Sequence, residues 1–318
     1  MTTIMTLASM TLDGTSNPEV TVIGGANIDI AARHAAAFYH AADSVRGDVS
    51  ISAGGVARNI TETLGQLGCK VDLITALGDD DFAQIIRKSL DLPAIDHSAS
   101  HHEHAGRSDC YLSILDEHGE LLQAINQMAQ VDRLTPAYLE HYQDQITSSQ
   151  RLIADCNLPP ESLGWLARLE KRPPLYIDGV SAQKIIKLRP ILHLIDGLKC
   201  NTREAETLLE QSDDTPADDL IDALTGSGIK TVLISLGEDG VIFSRGGEII
   251  RKDALPLPEE ITSVTGVGDA LFAGFIYADL SKASLSDALM LGMDAARLTL
   301  TCAGAVHPQV ASILTKYR

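Results

Sequence analysis

The chain has 318 residues, 45% of them hydrophobic and 21% charged, a normal balance for a soluble globular protein of one large or two modest domains. Its formal net charge of −18, from 25 basic and 43 acidic residues, predicts a surface that repels nucleic acid and anionic membranes. Aromatic residues make up only 4%, which argues against stacking platforms for single-stranded nucleic acid. We therefore expect no nucleic-acid partner and no membrane partner. A phosphorylated ligand would have to be held by local dipoles, a few basic groups and a metal ion.

The N-terminal region and the cysteines indicate a cytoplasmic protein. Residues 1–18 have neither a basic segment nor an adequate apolar one, so the sequence predicts a disordered or extended tail and no signal peptide. The five cysteines form no Cys-x-x-Cys pair and lie scattered among apolar runs, as reduced thiols do. No run approaches the roughly 18 apolar residues of a membrane span. We expect one folded domain over residues 19–318.

Short β-rich runs and helical patterns alternate along most of the chain. The predicted strands of this series cover residues 20–25, 71–77, 151–155, 175–178, 197–200 and 231–235. The predicted helices include residues 56–68, with Gly68 as C-cap, residues 80–90, and two helices within 269–302. This alternation predicts an α/β fold with a doubly wound, mainly parallel sheet flanked by helices. Ligands of such sheets lie beyond the carboxyl ends of the strands.

Two hairpin patterns interrupt this alternation. The first covers residues 110–125, and a second covers residues 240–251. Together with residues 30–53, the first hairpin could form a separate small β-sheet. We place that sheet at about 30–53 and 106–128.

A glycine-rich turn that opens an apolar helix is the most informative segment. Gly266 and Gly268 allow the backbone to bend tightly and approach a ligand. The amides of the following turn lack intrahelical partners at the positive end of the helix dipole, which suits an anion such as a phosphate. Asp269 would repel that anion, so its natural task is to accept a proton from a hydroxyl that attacks a phosphoryl group. The alternative is an ordinary capped turn with Asp269 as N-cap.

Polar groups also follow other predicted strands. Asn27 and Asp29 come directly after the first strand, where they could bind a polyol or belong to an ordinary turn. Gly54 and Gly55 precede a helix that carries Asn59 one turn in, and Asn59 can both donate and accept hydrogen bonds. The alternative for this diglycine is a flexible linker.

A further strand-to-helix junction carries Asn201 and Glu204. Their spacing is that of a capping box, but the same pair could hold a hydrated Mg²⁺ near nucleotide phosphates. Four histidines surround Glu103, and a polar exposed loop is favoured there over a metal site: His97, His101, His102 and His104. The sequence has no Walker phosphate loop, no dinucleotide-binding fingerprint and no nucleophile elbow.

These motifs, in this order, resemble the ribokinase-like (PfkB) sugar and nucleoside kinases over nearly the whole chain from about Val20. The specific motifs are Gly54-Gly55 with Asn59, Thr265 to Asp269, and Asn201-Thr202-Arg203-Glu204. The resemblance implies a ribokinase-like fold in which the small β-sheet is a lid over the substrate. Further segments resemble the family members that act on pseudouridine: residues 26–29, 54–60, 111–116, 124–128, 154–157, 180–184 and 198–201.

The resemblance implies a role for each matching residue. Asp269 would be the base, and the amides of an anion hole would come from Gly266, Val267, Gly268 and Asp269. The implied substrate contacts are Asn27, Asp29, Gly54, Gly55, Asn59, Ser113, Asn126 and Lys184. The implied ATP contacts are Asn201, Glu204, Ser235, Gly237 and Thr265, with Glu204 holding Mg²⁺ through water.

The implied reaction is transfer of a phosphoryl group from Mg-ATP to the 5′-hydroxyl of a ribosyl C-nucleoside. Other acceptors stay open, namely uridine, another nucleoside or a free sugar, as does a non-catalytic regulator on the same fold. Family lids often pair, which implies a homodimer. Many members carry Asp, placing a monovalent cation, where this chain has Ser263, so potassium activation is left open.

Overall fold

The computed structural model describes residues 19–34, 44–102 and 106–317, as strands and helices that largely alternate. The strands are β1 (Val20–Ile23), β2 (Asn27–His34), β3 (Gly47–Gly54), β4 (Val71–Ile74), β5 (Ala76–Leu77), β6 (Ile95–Asp96), β7 (His101–His102), β8 (Cys110–Leu115), β9 (Leu121–Gln127), β10 (Arg151–Asp155), β11 (Leu175–Asp178), β12 (Gly197–Asn201), β13 (Thr231–Ser235), β14 (Val241–Arg245) and β15 (Glu248–Lys252). The α-helices are α1 (Val56–Leu67), α2 (Asp81–Ser89), α3 (Pro136–Glu140), α4 (Gln143–Ser148), α5 (Pro160–Arg168), α6 (Ala182–Ile185), α7 (Thr202–Leu209), α8 (Ala217–Gly226), α9 (Val267–Leu280) and α10 (Leu285–Thr299). Segments of 3₁₀-helix cover Val131–Arg133, Ile186–Leu194, Gly237–Asp239 and Val310–Tyr317.

The large sheet has the strand order β15-β14-β13-β12-β11-β10-β1-β4-β6. Its pairs are parallel except at one end, where β14 runs antiparallel to both β13 and β15. Successive side chains of a strand point to opposite faces of this sheet, and each face has its own hydrophobic core. Val22 packs in the core on one face and Ile23 in the core on the other. Burial on both faces explains the continuous apolar runs in the sequence. The predicted doubly wound, mainly parallel α/β sheet is thus confirmed.

A smaller sheet stands apart, with the order β3-β2-β8-β9. Strand β2 pairs antiparallel with β3 and parallel with β8, and β8 forms the predicted hairpin with β9. The register places Asp29 opposite Ser52 and Tyr111, and Tyr111 opposite Asn126. Residues paired across strands point to the same face, so these four side chains share one polar face of the small sheet.

The strand predicted for residues 71–77 is divided in the structure. Val71–Ile74 joins the large sheet, whereas Ala76–Leu77 pairs with His101–His102 in a separate ribbon. Thr75 causes the break, because its hydroxyl donates to the Gly24 carbonyl at 2.7 Å and its amide donates to Ser100 Oγ at 3.2 Å. These bonds to side chains and to the β1 loop replace the ladder at that point.

Some predictions fall outside the described residues: the N-terminal tail over 1–18, residues 35–43 of the small sheet, and Glu103 with His104. All five cysteines are unpaired, and Cys69, Cys156 and Cys200 are buried. In the parts of the chain that the structure describes, no helix combines the length and the apolar character needed to cross a bilayer.

Helix α1 is anchored to the large sheet by a buried carboxylate. Asp155 Oδ2, at the end of β10, accepts the amides of Gly25 at 2.9 Å and Ala57 at 3.0 Å. The second of these amides belongs to the first turn of α1, which lacks a side-chain cap of its own. Asp155 therefore fixes the start of α1 against the carboxyl ends of β1 and β10.

At the opposite edge of the sheet, Asp279 near the end of α9 binds two arginines. Arg151 Nη2 lies 2.8 Å and Arg245 Nη1 lies 2.6 Å from its carboxylate oxygens, and the three side chains are at most 26% exposed. We expect Asp279→Ala to lower the free energy of unfolding by about 3–5 kcal/mol, because two largely buried cations lose their partner.

Urea unfolding of the wild type and of Asp279→Ala measures this difference in the free energy of unfolding. The control is Asp218→Ala, which removes the exposed pair with Arg251 and should cost less than about 1 kcal/mol. Equal losses of unfolding free energy in the two variants would show that burial does not make the Asp279 ion pairs more important for stability than an exposed pair.

Candidate active site

Asp269 lies in the first turn of α9, at the carboxyl edge of the large sheet. The N-cap of this helix is Gly266, whose φ is +76°, and a Cβ there would collide with the Ala305 carbonyl oxygen. The first helical bond runs from the Ala270 amide to the Gly266 carbonyl, so the amides before Ala270 have no intrahelical acceptor. No side chain of the described residues caps them, and the interpretation of Asp269 as N-cap is wrong.

The carboxylate of Asp269 is buried and joined to another predicted site residue. Asn59 Nδ2 donates to Asp269 Oδ2 at 2.7 Å, across 210 positions of sequence. Burial and the neighbouring Asp178 raise the pKa of Asp269 to about 7, against the opposing effects of Lys199 and Asn59. A carboxyl group with this pKa is poised for proton transfer near neutrality.

Lys199 and Asp178 were not identified from the sequence, yet they adjoin this turn. Lys199 Nζ lies 2.9 Å from Asp178 Oδ2, and a Cβ on Gly268 would lie 2.7 Å from the same nitrogen. Burial lowers the pKa of Lys199, but Asp178, Asp269 and Glu204 outweigh it and raise the pKa above its ordinary value. The ammonium is therefore a fixed positive charge beside the start of α9. The available signal was a lysine within an otherwise apolar predicted strand.

Four predicted substrate residues meet where the small sheet joins the large one. Asn27 begins β2 rather than a turn, and its Nδ2 donates to Asp29 Oδ1 at 2.6 Å. The Asp29 carboxylate lies against Gly54, while Gly55 has φ +97° and a Cβ there would lie 2.5 Å from the Gly25 carbonyl oxygen. Burial raises the pKa of Asp29. The diglycine is a close backbone approach between elements and not a flexible linker.

Asn59 has one further neighbour that limits its chemistry. Both lone pairs of Asn59 Oδ1 face Arg58, whose Nε and Nη2 donate to it at 3.1 and 2.7 Å. The sequence predicts that Asn59 both donates and accepts toward a ligand. In the structure its oxygen is occupied, and only an amide hydrogen remains to contact a ligand oxygen.

The capping box predicted for Asn201 and Glu204 is present. Asn201 Oδ1 accepts the Glu204 amide at 2.8 Å, and Glu204 Oε2 accepts the Asn201 amide at 3.0 Å. Glu204 Oε1 also accepts from Asn201 Nδ2 at 2.9 Å. Each carboxylate oxygen keeps a lone pair, and burial raises the pKa of Glu204 while Lys199 opposes that rise. Mg²⁺ prefers oxygen ligands and usually keeps several of its waters. The Glu204 carboxylate fits such an ion, bound through a water molecule that lies between the metal and the carboxylate.

Two predicted ATP residues line a recess beside the α9 turn. Ser235 and Gly237 face Val267 and Gly268 across it. Its other walls are mainly apolar: Val241, Ala254, Leu255, Leu257, Leu271, Met293, Ala296 and Leu300. The flat base of a nucleotide fits such a surface, and the phosphates of the same nucleotide would then lie toward the free amides at the start of α9.

Thr265, the fifth predicted ATP residue, is exposed, and its amide donates to Ser263 Oγ at 3.1 Å. The Ser263 hydroxyl is neutral, so it brings no negative charge to a monovalent cation.

Of the remaining predicted substrate residues, Asn126 and Ser113 lie in the small sheet and Lys184 lies on α6. Asn126 is exposed on the face that carries Asp29, while Ser113 is buried and donates to the Ile30 carbonyl at 3.3 Å. Lys184 Nζ donates to Asn157 Oδ1 at 2.6 Å. Asn157 was not identified as a site residue, and its amide nitrogen would lie 2.8 Å from a Cβ on Gly25.

Two members of the histidine cluster, His101 and His102, have other partners. His101 packs edge-on against Tyr138, and Arg87 Nη2 lies 3.1 Å from His102 Nδ1. Within residues 19–34, 44–102 and 106–317, no three His, Cys, Asp or Glu side chains are grouped to hold a metal.

The raised pKa of Asp269 predicts a pH dependence for any proton that it accepts. The base must be ionised, so kcat/KM should rise with pH through about 7 and level off above it. Initial rates between about pH 5.5 and 9 in buffers of constant ionic strength measure this profile. A rate that is level down to about pH 5 would contradict the assignment.

Comparison with known proteins identifies the family of this chain. The model of the pfkB family of carbohydrate kinases matches residues 17–311. Pseudouridine kinase of Escherichia coli (strain K12) is 31% identical over 92% of this chain and 93% of its own length. Ribokinase of Haemophilus influenzae is 26% identical over 80% of this chain and 83% of its own. The structure of Arabidopsis thaliana ribokinase complexed with ribose and ATP superposes with a TM-score of 0.82 at 19% identity, covering 95% and 99% of the two chains. The chain therefore belongs to the pfkB family of carbohydrate kinases.

Proposed function

We propose that this protein transfers the γ-phosphoryl group of ATP to the 5′-hydroxyl of pseudouridine, giving pseudouridine 5′-phosphate and ADP. The observation that carries the chemistry is the buried Asp269 carboxylate at the start of α9, beside unpartnered amides and Lys199. This combination supplies a base for the hydroxyl and a positive surface for the phosphoryl group in one place. A non-catalytic regulator would have no use for a base in that position.

In the proposed reaction, the substrate hydroxyl oxygen forms a bond to the γ-phosphorus while the bond from that phosphorus to the bridging oxygen of ADP breaks. The hydroxyl proton passes to Asp269. The amides of Val267, Gly268 and Asp269, with Lys199, stabilise the charge on the transferred group. Mg²⁺, held through water by Glu204, would neutralise part of the triphosphate charge.

The ribose would lie between Asp29 and Asn59. The Asp29 carboxylate accepts hydrogen bonds from ribose hydroxyls, and Asn59 has one amide hydrogen left to donate. The similarity to the E. coli enzyme supports a C-nucleoside. Lys184 and Asn157 place a donor and an amide near Gly25, where a uracil-type ring with carbonyl and N–H groups finds both kinds of partner.

We also propose that the small sheet is a lid that closes over the substrate and pairs with a second copy of the chain. Its polar face carries Asp29 and Asn126, and its other face exposes apolar side chains: Val49 at 67%, Ile51 at 52% and Ile125 at 56%. A surface of this kind is typical of an interface. Sedimentation velocity should give a dimer for the wild type and a monomer for Ile51→Asp, and a wild-type monomer would contradict the pairing.

Ribose or another nucleoside is the second candidate acceptor, because the chain is also similar to a ribokinase. ADP release with Mg-ATP decides between them over a panel of pseudouridine, uridine, cytidine, adenosine, ribose and fructose. We expect kcat/KM to be highest for pseudouridine, by at least about tenfold over uridine. Preference for another member would refute this substrate and keep the chemistry, whereas no turnover on any acceptor would refute the kinase.

A further inference from the structure

Arg58 is a buried cation in the first turn of α1, and this is a costly place for it. The residue is 2% exposed, and α1 has no acidic residue in its first turn. The positive end of a helix dipole disfavours a cation there, and burial disfavours any charge. The partner charge comes from Glu62, one turn later, at 2.8 Å. Two well-packed apolar side chains could replace the Arg58–Glu62 pair with little or no loss of stability, so the arginine points to a task besides packing.

The guanidinium grips Asn59 with two of its nitrogens. Nε and Nη2 donate to Asn59 Oδ1 at 3.1 and 2.7 Å, while Nη1 binds Glu62 and lies 3.2 Å from Ser89 Oγ. The amide nitrogen of Asn59 then faces Asp269 Oδ2 at 2.7 Å. If the Asn59 side-chain amide were flipped, its oxygen would face the Asp269 carboxylate and its NH₂ group would face the Arg58 guanidinium. Both contacts would be repulsive, so Arg58 permits only one orientation.

We infer that Arg58 is a positioning residue that holds the Asn59 amide in the orientation in which it donates to Asp269. The consequence is a base whose ionised form receives a hydrogen bond from a side chain that cannot turn away. The second amide hydrogen of Asn59 stays available for a substrate oxygen. This inference rests on the proposed function in taking Asp269 as the base.

Charged groups around Asp269 come from several elements, and any change in its titration must be separated from theirs: Asp155 on β10, Asp178 on β11, Lys199 on β12 and Arg58 on α1. Glu62 and Asp29 face Arg58 itself. A substitution at position 58 leaves these other residues in place, but Arg58→Met removes a positive charge from Asp269, Glu62 and Asp29, whereas Arg58→Lys keeps it.

The test is the titration of Asp269 in protein labelled with carboxyl-¹³C aspartate, where the signal missing from Asp269→Asn identifies the residue. In Arg58→Met we expect the midpoint to rise by about one pH unit or more, because a positive charge is lost and the freed amide can present its oxygen to Asp269. Arg58→Lys keeps the positive charge but replaces the two donating guanidinium nitrogens, the fork that binds Asn59 Oδ1, with a single ammonium nitrogen. We therefore expect a midpoint between those of the wild type and Arg58→Met. Arg172→Met is the control, since Arg172 is largely buried against Asp196 at the opposite edge of the sheet and should leave Asp269 unchanged.

A wild-type midpoint in Arg58→Met would overturn the inference. If that variant does not fold, Arg58→Lys decides, because a wild-type midpoint there would show that charge suffices without the fork. The pH profile of kcat/KM should shift in the same direction for any acceptor that the wild type uses. Failure of the whole acceptor panel would refute the proposed function, yet the ¹³C titration would still test Arg58.

Discussion

Asp269→Asn should lower kcat by about 10²- to 10⁴-fold, the range that general-base catalysis contributes. The amide has nearly the same shape as the carboxylate but cannot take the hydroxyl proton, and the recess formed by Ser235 and Gly237 is untouched. Nucleotide affinity measured by calorimetry should therefore stay within about threefold of the wild type. Retained turnover in this variant would remove Asp269 from the role of base.

The same substitution should make the fold more stable at neutral pH. The pKa of Asp269 is raised in the folded protein, so its contribution to stability is present at acid pH and is lost as pH rises through about 7. Asn does not titrate. The melting temperature of Asp269→Asn should exceed that of the wild type by an amount that grows between about pH 4 and pH 7 and then levels off. A variant that is less stable at pH 8 would show that the low activity reflects damage to the fold.

Gly266→Ala should lower kcat by at least about 10²-fold, because the turn must move to admit the new methyl group. A Cβ at this position collides with the Ala305 backbone, and φ is +76°. Movement of the turn displaces the amides that face the phosphoryl group, and removal of a single donor of this type costs about 10²- to 10³-fold.

Gly246→Ala provides the matched control for backbone strain. Gly246 has φ +60° in the hairpin between β14 and β15, and a Cβ there meets nothing within 4 Å. We expect full activity from this variant and a loss of about 1–2 kcal/mol in stability. Equal activity of the two variants, measured as ADP release under saturating ATP, would contradict an anion hole at the α9 turn.

The fold was predictable because its strands carry a strong local signal. A strand buried on both faces appears as a short apolar run, and the run at 231–235 coincides with the observed Thr231–Ser235. The break at Thr75 was missed, since it depends on Gly24 and Ser100, which are remote in sequence.

Parts of the candidate site that are contiguous in sequence could be recognised, and pairings between them could not. The turn from Gly266 to Asp269 shows both its glycines and its carboxylate within four residues. The hydrogen bond from Asn59 to Asp269 spans 210 positions, and no spacing rule connects them. Lys199 escaped notice for the same reason, because its role depends on Asp178 from the neighbouring strand.

Arg58 shows a third kind of gap. It lies between the recognised residues Gly55 and Asn59, but the pattern of helix positions says nothing about the direction of a long side chain. Only the packed structure shows that its guanidinium turns to Asn59 and Glu62. Side-chain direction, burial and the state of neighbouring charges are properties of the tertiary structure.

³¹P NMR of the products shows whether Asp269 acts as the base in phosphoryl transfer to a nucleoside hydroxyl. Wild-type protein with Mg-ATP and pseudouridine should yield ADP and a phosphomonoester whose signal is a triplet, split by the two hydrogens of C5′. Asp269→Asn at equal concentration should yield almost none. Formation of inorganic phosphate without the monoester would refute transfer to the nucleoside, and the same amount of monoester from both proteins would refute the role of Asp269 as the base.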